Sequence, residues 1–257
     1  MFWRTKKHSH AVVLKLFFCL CLFSFSHGLW ADSEAFKEHY ERALEWVKKD
    51  EIDKAIESFQ SALKFDPDSA EIYNLLGILY LQKKKSYESA IGSFLEAVRI
   101  NPNYEEAYFN LAVTYAEIGK EPEMTAQYLR KVIDINPNYA KAYLGLGIIY
   151  LNQSTQEPEK ALELLQKAVE LDPNQPEAQY GLALAYIGTG KRAKALTPLS
   201  VLRSMNRPDL VMYLEAYMQG LILANPEKKS EGRVEPPPAV YPPAEAPVAK
   251  KTPSVPG

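Results

Sequence analysis

The sequence predicts an all-α chain of stacked helix pairs, and three observations predict it. Pro67, Pro102, Pro137 and Pro173 stand 35, 35 and 36 residues apart, each in a near-copy of Ile135-Asn136-Pro137-Asn138-Tyr139. Small residues followed three positions later by a large aromatic recur at the same period: Ala43 with Trp46, Gly77 with Tyr80, Ala112 with Tyr115, Gly147 with Tyr150 and Ala183 with Tyr186. No run alternates polar with apolar residues at period two, the pattern of a half-buried strand. A proline lacks the N–H that a helix interior needs, and its ring clashes with the preceding turn. It also drives the residue before it out of the α region. Each of the four prolines is therefore expected to close one helix, and the Asp or Asn after it to begin the next. Stops at one period mean an array of repeats.

Residues 1–31 read as a secretory signal. Arg4-Thr5-Lys6-Lys7 is a basic start, Leu16–Phe25 an apolar run of ten residues, and Gly28 and Ala31 are the expected cleavage points. The run is shorter than the roughly 20 apolar residues that span a bilayer, and Lys15 interrupts any longer one. Left uncleaved, the same segment would tether the chain to a membrane.

From Ser33 to about Arg207 helix pairs are expected. In each first helix the small residue and its aromatic share one face, where the small one admits a neighbouring helix and the ring fills the space above it. Each second helix carries a stripe counted back from its proline. Ala55, Ala90, Thr125 and Ala161 stand twelve residues before it, Phe59, Phe94, Leu129 and Leu165 eight, and Ala62, Ala97, Val132 and Ala168 five. Ala195, Leu199 and Leu202 make a fifth copy. Spacings of four and three place each set on one buried face. Pro122 and Pro158 stand three residues ahead of that stripe, at a first helical turn where the missing N–H costs nothing. Extra residues (Lys83–Ser86, Gly119–Glu121, Gln153–Gln156) fall between the helices of a pair.

Pro208-Asp209 is expected to open one more helix, about Leu210–Ala224, with Asp209 as its cap. No second helix follows, so it closes the array. Met212, Ala216 and Leu223 leave its outer side apolar enough for a contact between two copies. Residues 226–257 contain nine prolines and few large apolar residues, too few for a core, and read as a disordered tail. Within it Val240-Tyr241-Pro242-Pro243 loosely resembles a ligand of proline-binding modules. The expected organisation is thus a signal at 1–31, helix pairs with their closing helix at 32–225, and the tail at 226–257.

The small–aromatic pair, the Ala–Phe–Ala stripe and the closing proline together resemble the tetratricopeptide repeat (TPR). Five copies cover roughly residues 36–207. Thr125 and Val132 replace the usual small residues in copy three, and in copy five the proline comes one residue late, at Pro208, with Leu202 in place of alanine. The resemblance implies a right-handed solenoid whose first helices line a concave groove holding an extended peptide or a partner helix. The lining it implies is Tyr40 and Leu44; Asn74 and Ile78; Phe109, Asn110 and Val113; Leu144 and Ile148; Tyr180 and Leu184, with Lys141 and Glu177 near the edge. Some members grip a C-terminal carboxylate. Asn110 and Lys141 match that set, whereas Asn74, Ile78 and Gly145 stand where its cationic and amide partners would be. A mainly apolar lining suits a ligand that buries alternating apolar side chains, with the Asn110 amide able to pair with its backbone.

Composition narrows the chemistry. The formal net charge of the 257 residues is −2; residues 1–31 hold four cations and no acid, so the remainder carries −6. A mildly acidic chain without clustered Lys and Arg is unsuited to a phosphate backbone, and nucleic acid is not an expected partner. Both cysteines, Cys19 and Cys21, lie in the apolar run, and His39 is the one histidine after it. That leaves no Cys–His pair and no Cys/His zinc set. Gly188-Thr189-Gly190-Lys191 lacks the earlier glycine and the following Ser or Thr of a phosphate loop, and Gly145-Leu146-Gly147 lacks the third glycine of a dinucleotide site. No catalytic residue, metal, cofactor or small-molecule substrate is expected. The expected function is a non-catalytic protein–protein interaction scaffold exported to the cell envelope, a periplasm by preference. The alternative is an oligomeric structural subunit that uses its closing helix, with an enzyme of unrecognised site ranked last.

Overall fold

The computed structural model describes residues 33–119, 121–152 and 157–219. The expected signal at 1–31, the insertion at 153–156, Leu223 and Ala224 of the expected closing helix, and the tail at 226–257 lie outside them. Among the described residues eleven α-helices follow one another: α1 (33–48), α2 (Ile52–Ala62), α3 (Ala70–Leu79), α4 (Tyr87–Ile100), α5 (Glu105–Ile118), α6 (Pro122–Ile135), α7 (Ala140–Asn152), α8 (Pro158–Leu171), α9 (Pro176–Gly188), α10 (Leu196–Ser204) and α11 (Pro208–Met218). Among the described residues there is no strand. These are five pairs and a closing helix. Pro122, Pro158, Pro176 and Pro208 each occupy the first helical turn of their helices.

The stops work through the residue before the proline, not the one after it. The N–H of Asp66, Asn101, Asn136 and Asp172 bonds back to the carbonyl of Ala62, Ala97, Val132 and Ala168, closing the last turn. The side-chain oxygen of the same residue then reaches across the proline. Asp66 Oδ1 accepts from the N–H of Asp68 at 3.3 Å, Asn101 from Asn103 at 3.1 Å, Asn136 from Asn138 at 3.0 Å and Asp172 from Asn174 at 3.1 Å. Such a side-chain bond to the backbone two residues on makes a turn by itself. The residues expected to begin the next helix are consumed by it, and the helices start later, at Ala70, Glu105, Ala140 and Pro176.

Within a pair, the interlock is the expected one. A Cβ built on Gly77 would stand 2.5 Å from the Phe94 ring, and one on Gly147 2.5 Å from Leu165 Cγ. Phe59, Phe94, Leu129 and Leu165, the residues eight before each proline, are all buried. Consecutive helices pack together from α2 to α11, and first helices also meet first helices, α3 with α5, α7 with α9 and α9 with α11. Among the described residues no two second helices pack as closely. An array drawn together along its first helices and spread along its second ones curves with the first helices inside. The core is accordingly a row of four apolar clusters along the array.

Irregularities sit where the repeat is broken. The insertion after α3 is absorbed by winding Tyr80–Lys84 as one wide π turn, with Lys85 left-handed at φ 52°. Lys83 and Lys84 pair with Asp50 and Asp53 at 2.8 and 2.6 Å, exposed contacts worth about 1 kcal/mol or less each. The second helix of copy five begins as a short 3-10 turn, Arg192–Ala195, ahead of α10. Asp209 does not cap α11: Arg207 stands at the N-cap, and its guanidinium donates to both Asp209 oxygens at 3.0 and 2.9 Å.

Gly147→Leu is expected to cost roughly 1–3 kcal/mol, because the added atoms overpack against Leu165. Gly92, in α4, has nothing within 4 Å of an added Cβ, so Gly92→Ala should gain up to about 1 kcal/mol from helix propensity alone. Urea midpoints of the two variants check the pair of signs.

Candidate functional site: the inner face of the first helices

Equivalent positions on α1, α3, α5, α7, α9 and α11 form the inner layer. Tyr40, on α1, is half-buried; its hydroxyl donates to Glu71 Oε1 at 2.6 Å, and its ring meets the edge of Phe59 at 5.8 Å. From there a ladder of amides runs inward. Asn110 Nδ2 donates to Asn74 Oδ1 at 3.0 Å, and Asn74 Nδ2 to the Tyr104 hydroxyl at 3.4 Å. Asn110 is 0% exposed and Asn74 1%. The Asn110 amide nitrogen thus bonds to its own array, a correction to the expectation that it would meet a ligand backbone.

Other implied groove residues are also taken into the packing. Ile78, Phe109 and Val113 belong to one core cluster, Leu144 and Ile148 to another, and Tyr180 to the last. Phe109 rests on the Tyr139 ring at 5.2 Å between centres. Ile148 and Tyr180 keep only 9% and 8% of their surface. The accessible members of the implied set are Tyr40, Leu44, Lys141, Glu177 and Leu184, all half-buried. The physical reason is the closeness of successive pairs. Gly145 and Gly181 let Leu129 and Leu165 lie against the helix backbone, 2.8 Å from where a Cβ would stand, and side chains beside such crossings become core.

The structure adds residues that the pattern did not single out. Glu71, Glu105 and Glu106 begin the inner helices, and Tyr104 and Tyr139 stand just ahead of α5 and α7. Both tyrosines are the last residue of an Asn-Pro-Asn-Tyr copy, a signal visible in the sequence. Burial first, then Glu106 and Glu71, pushes the Tyr104 hydroxyl up to about 12, against the lowering effect of its bond to Asn74. Burial, with Tyr213 and Tyr217 beside it, pushes Tyr180 up to about 12. The Tyr139 hydroxyl is raised too, by burial and then by Glu106 and Glu105, and it has no hydrogen-bond partner. Burial lowers Lys141, with Asp172 opposing. At the far end Arg207 bridges Glu177, at 3.0 Å, and Asp209.

This face presents phenol hydroxyls, carboxylates and apolar surface. His39 stacks on Phe65 at 5.7 Å, a packing contact. Among the described residues no three His, Cys, Asp or Glu side chains are grouped to hold a metal ion. Gly188-Thr189-Gly190-Lys191 is the end of α9 and the turn after it, with Gly190 left-handed at φ 73°.

Asn110→Ala should cost about 1–3 kcal/mol, because it strands the Asn74 carbonyl in a dry site. Tyr139→Phe should leave the urea midpoint unchanged or higher, since it removes a buried hydroxyl that makes no bond. The raised tyrosines also set an alkaline limit. Their folded forms hold the proton beyond the ordinary value of about 10. Their contribution to stability is therefore intact below that pH and drains as pH rises through about 12. Absorbance titration at 295 nm should show late-ionising tyrosines that revert to about 10 in denaturant.

The geometry can be set beside known proteins. A TPR repeat profile matches residues 44–84, 83–119 and 155–190, and a tetratricopeptide repeat profile matches residues 106–139. Together they span just over half of the chain. No curated protein sequence matches it significantly. The crystal structure of MamA is similar over 74% of this chain and 97% of its own, at 26% identity and TM-score 0.56. YrrB, a TPR protein with an unusual peptide-binding site, is similar over 72% and 97%, at 23% identity and TM-score 0.57. Pseudomonas aeruginosa pilF is similar over 74% and 93%, at 17% identity and TM-score 0.59. The last two likenesses are of fold. With the five interlocked pairs, the period of their stops and these matches in agreement, the chain belongs to the tetratricopeptide repeat family.

Proposed function

We propose that this chain is a non-catalytic scaffold that holds a segment of another protein against the inner face of its array. The observation that carries the reading is the strip left accessible there: Tyr40, Leu44 and Leu184 as apolar and aromatic footholds, with Glu71, Glu105 and Lys141 at the starts of the inner helices. A core of buried Asn74, Phe109, Asn110 and Leu144 beneath it holds the side chains of the bed in place, so little side-chain ordering entropy is lost on binding. An extended peptide or a helix presenting alternating apolar side chains fits such a strip.

The proposed setting is the cell envelope, a periplasm by preference, after cleavage behind Gly28 or Ala31. Its support is the basic start and short apolar run of residues 1–31. Capture from an envelope extract with the full mature chain, beside a Leu44→Glu, Leu184→Glu variant, tests the binding face. A partner held by the first and lost by the second is expected; equal retention by both would overturn the inner-face reading. N-terminal sequencing of the chain from the same fraction should begin at Leu29 or Asp32, and a start at Met1 would exclude cleavage.

A second reading, a structural subunit that self-associates through α11, is favoured by one observation. Met212 is 54% exposed on the closing helix. Met212→Glu should halve the mass seen by light scattering under that reading, and unchanged mass would remove it.

A further inference from the structure

We propose that a tyrosine cleft on α6, outside the inner face, binds the chain's own proline-rich segment Ala239–Pro243 as a polyproline II strand. The cleft has a volume of about 540 Å³ and is lined by Tyr108 of α5 together with Met124, Gln127, Tyr128, Arg130 and Lys131 of α6, ending at Asp134. None of these is an inner position, so the site is distinct from the strip proposed above. Its floor is a run of rings. Tyr128 stacks on Tyr115 at 5.6 Å between centres and stands 6.4 Å from Tyr108. Lys131 rests its ammonium 5.9 Å from the Tyr108 ring centre, at the rim.

A shallow aromatic cleft with hydrogen-bond donors along it is the surface that a polyproline II strand requires. The strand offers rigid apolar ridges at low entropic cost, and its carbonyls have no partners of their own. Here the Gln127 amide and the Tyr108 hydroxyl are the donors, while the Tyr128 hydroxyl is held by Tyr115. Lengths agree as well. Met124 to Asp134 extends about 15 Å at the helical rise of 1.5 Å per residue. Five residues of polyproline II at about 3.1 Å each cover the same span. Ala239-Val240-Tyr241-Pro242-Pro243 is such a segment, with Glu245 two residues beyond it and Glu235 four before it. Either carboxylate complements the rim cations Arg130 and Lys131. Arg130 donates through one nitrogen to the Tyr150 hydroxyl at 3.0 Å, and its other N–H groups remain to serve a carboxylate.

The tail is long enough to arrive. From α11 back to α6 each helix packs on the next. Five steps of 8–10 Å put the two helices at most about 50 Å apart. The twenty residues from Gln219 to Ala239 reach roughly 65–70 Å when extended.

The test uses the full chain with p-benzoylphenylalanine in place of the exposed Gln127, irradiated at low concentration, with crosslinks mapped by mass spectrometry. A crosslink into residues 235–247 within a product of monomer mass is expected. Its yield should fall about tenfold in Tyr241→Ala, as for loss of one ring anchor, and severalfold in Arg130→Glu, with helicity unchanged by circular dichroism in each. Crosslinks confined to other residues, or a yield insensitive to Tyr241→Ala, would overturn the proposal. Crosslinks found only at dimer mass would overturn it in favour of the tail of a second copy.

Discussion

The array depends on how closely the two helices of a pair can approach. Where a glycine stands in the first helix, a side chain of the second lies against bare backbone: Phe94 over Gly77, Leu165 over Gly147. That contact sets the distance within the pair, and the matching crossings to the preceding pair, Leu129 over Gly145 and Leu165 over Gly181, decide which flanking residues are swallowed by the core. Hydrophobic burial drives the association, but the glycine decides its geometry. A fully buried Phe or Leu stabilises by about 1.5–3 kcal/mol, and that gain is realised only if the opposing helix offers a gap.

The same closeness shapes the candidate site. First helices touch first helices, so many of their inner residues are taken up in holding the repeats together. Asn74 and Asn110 illustrate the division. Both belong to the inner helices, yet they bond to each other and to Tyr104. Buried polar groups that find partners fix one register among the helices that carry them. The residues left accessible lie one step outward, at Tyr40, Glu71, Lys141 and Leu184.

Much of this was legible before any coordinates. The Ala–Phe–Ala stripe, the small–aromatic pairs and the prolines follow a period that local sterics impose, and each is where the pattern put it. The turn chemistry is not legible there, because Asn-Pro-Asn offers two side chains with the same capacity, and only the backbone path shows that the first is used. The site was read less well for a different reason. Helical periodicity reports which face a residue occupies, not how near the next helix comes, and nothing in the identities of Phe109 or Leu144 separates a groove wall from an interface. Tyr104 and Tyr139 repeat in plain view, but their raised hydroxyls follow from burial between repeats, and then from Glu106 standing close by.

A core divided into four clusters in a row has a mechanical consequence. Each crossing joins only neighbours, so a pull or twist on the array is distributed as small rotations at every crossing instead of breaking one interface. Such a body behaves as a short spring. Its curvature can open or tighten through small rotations between neighbours while each interlock stays closed. Tension borne by anything attached at its two ends would then be converted into a change in the width of the bed between them.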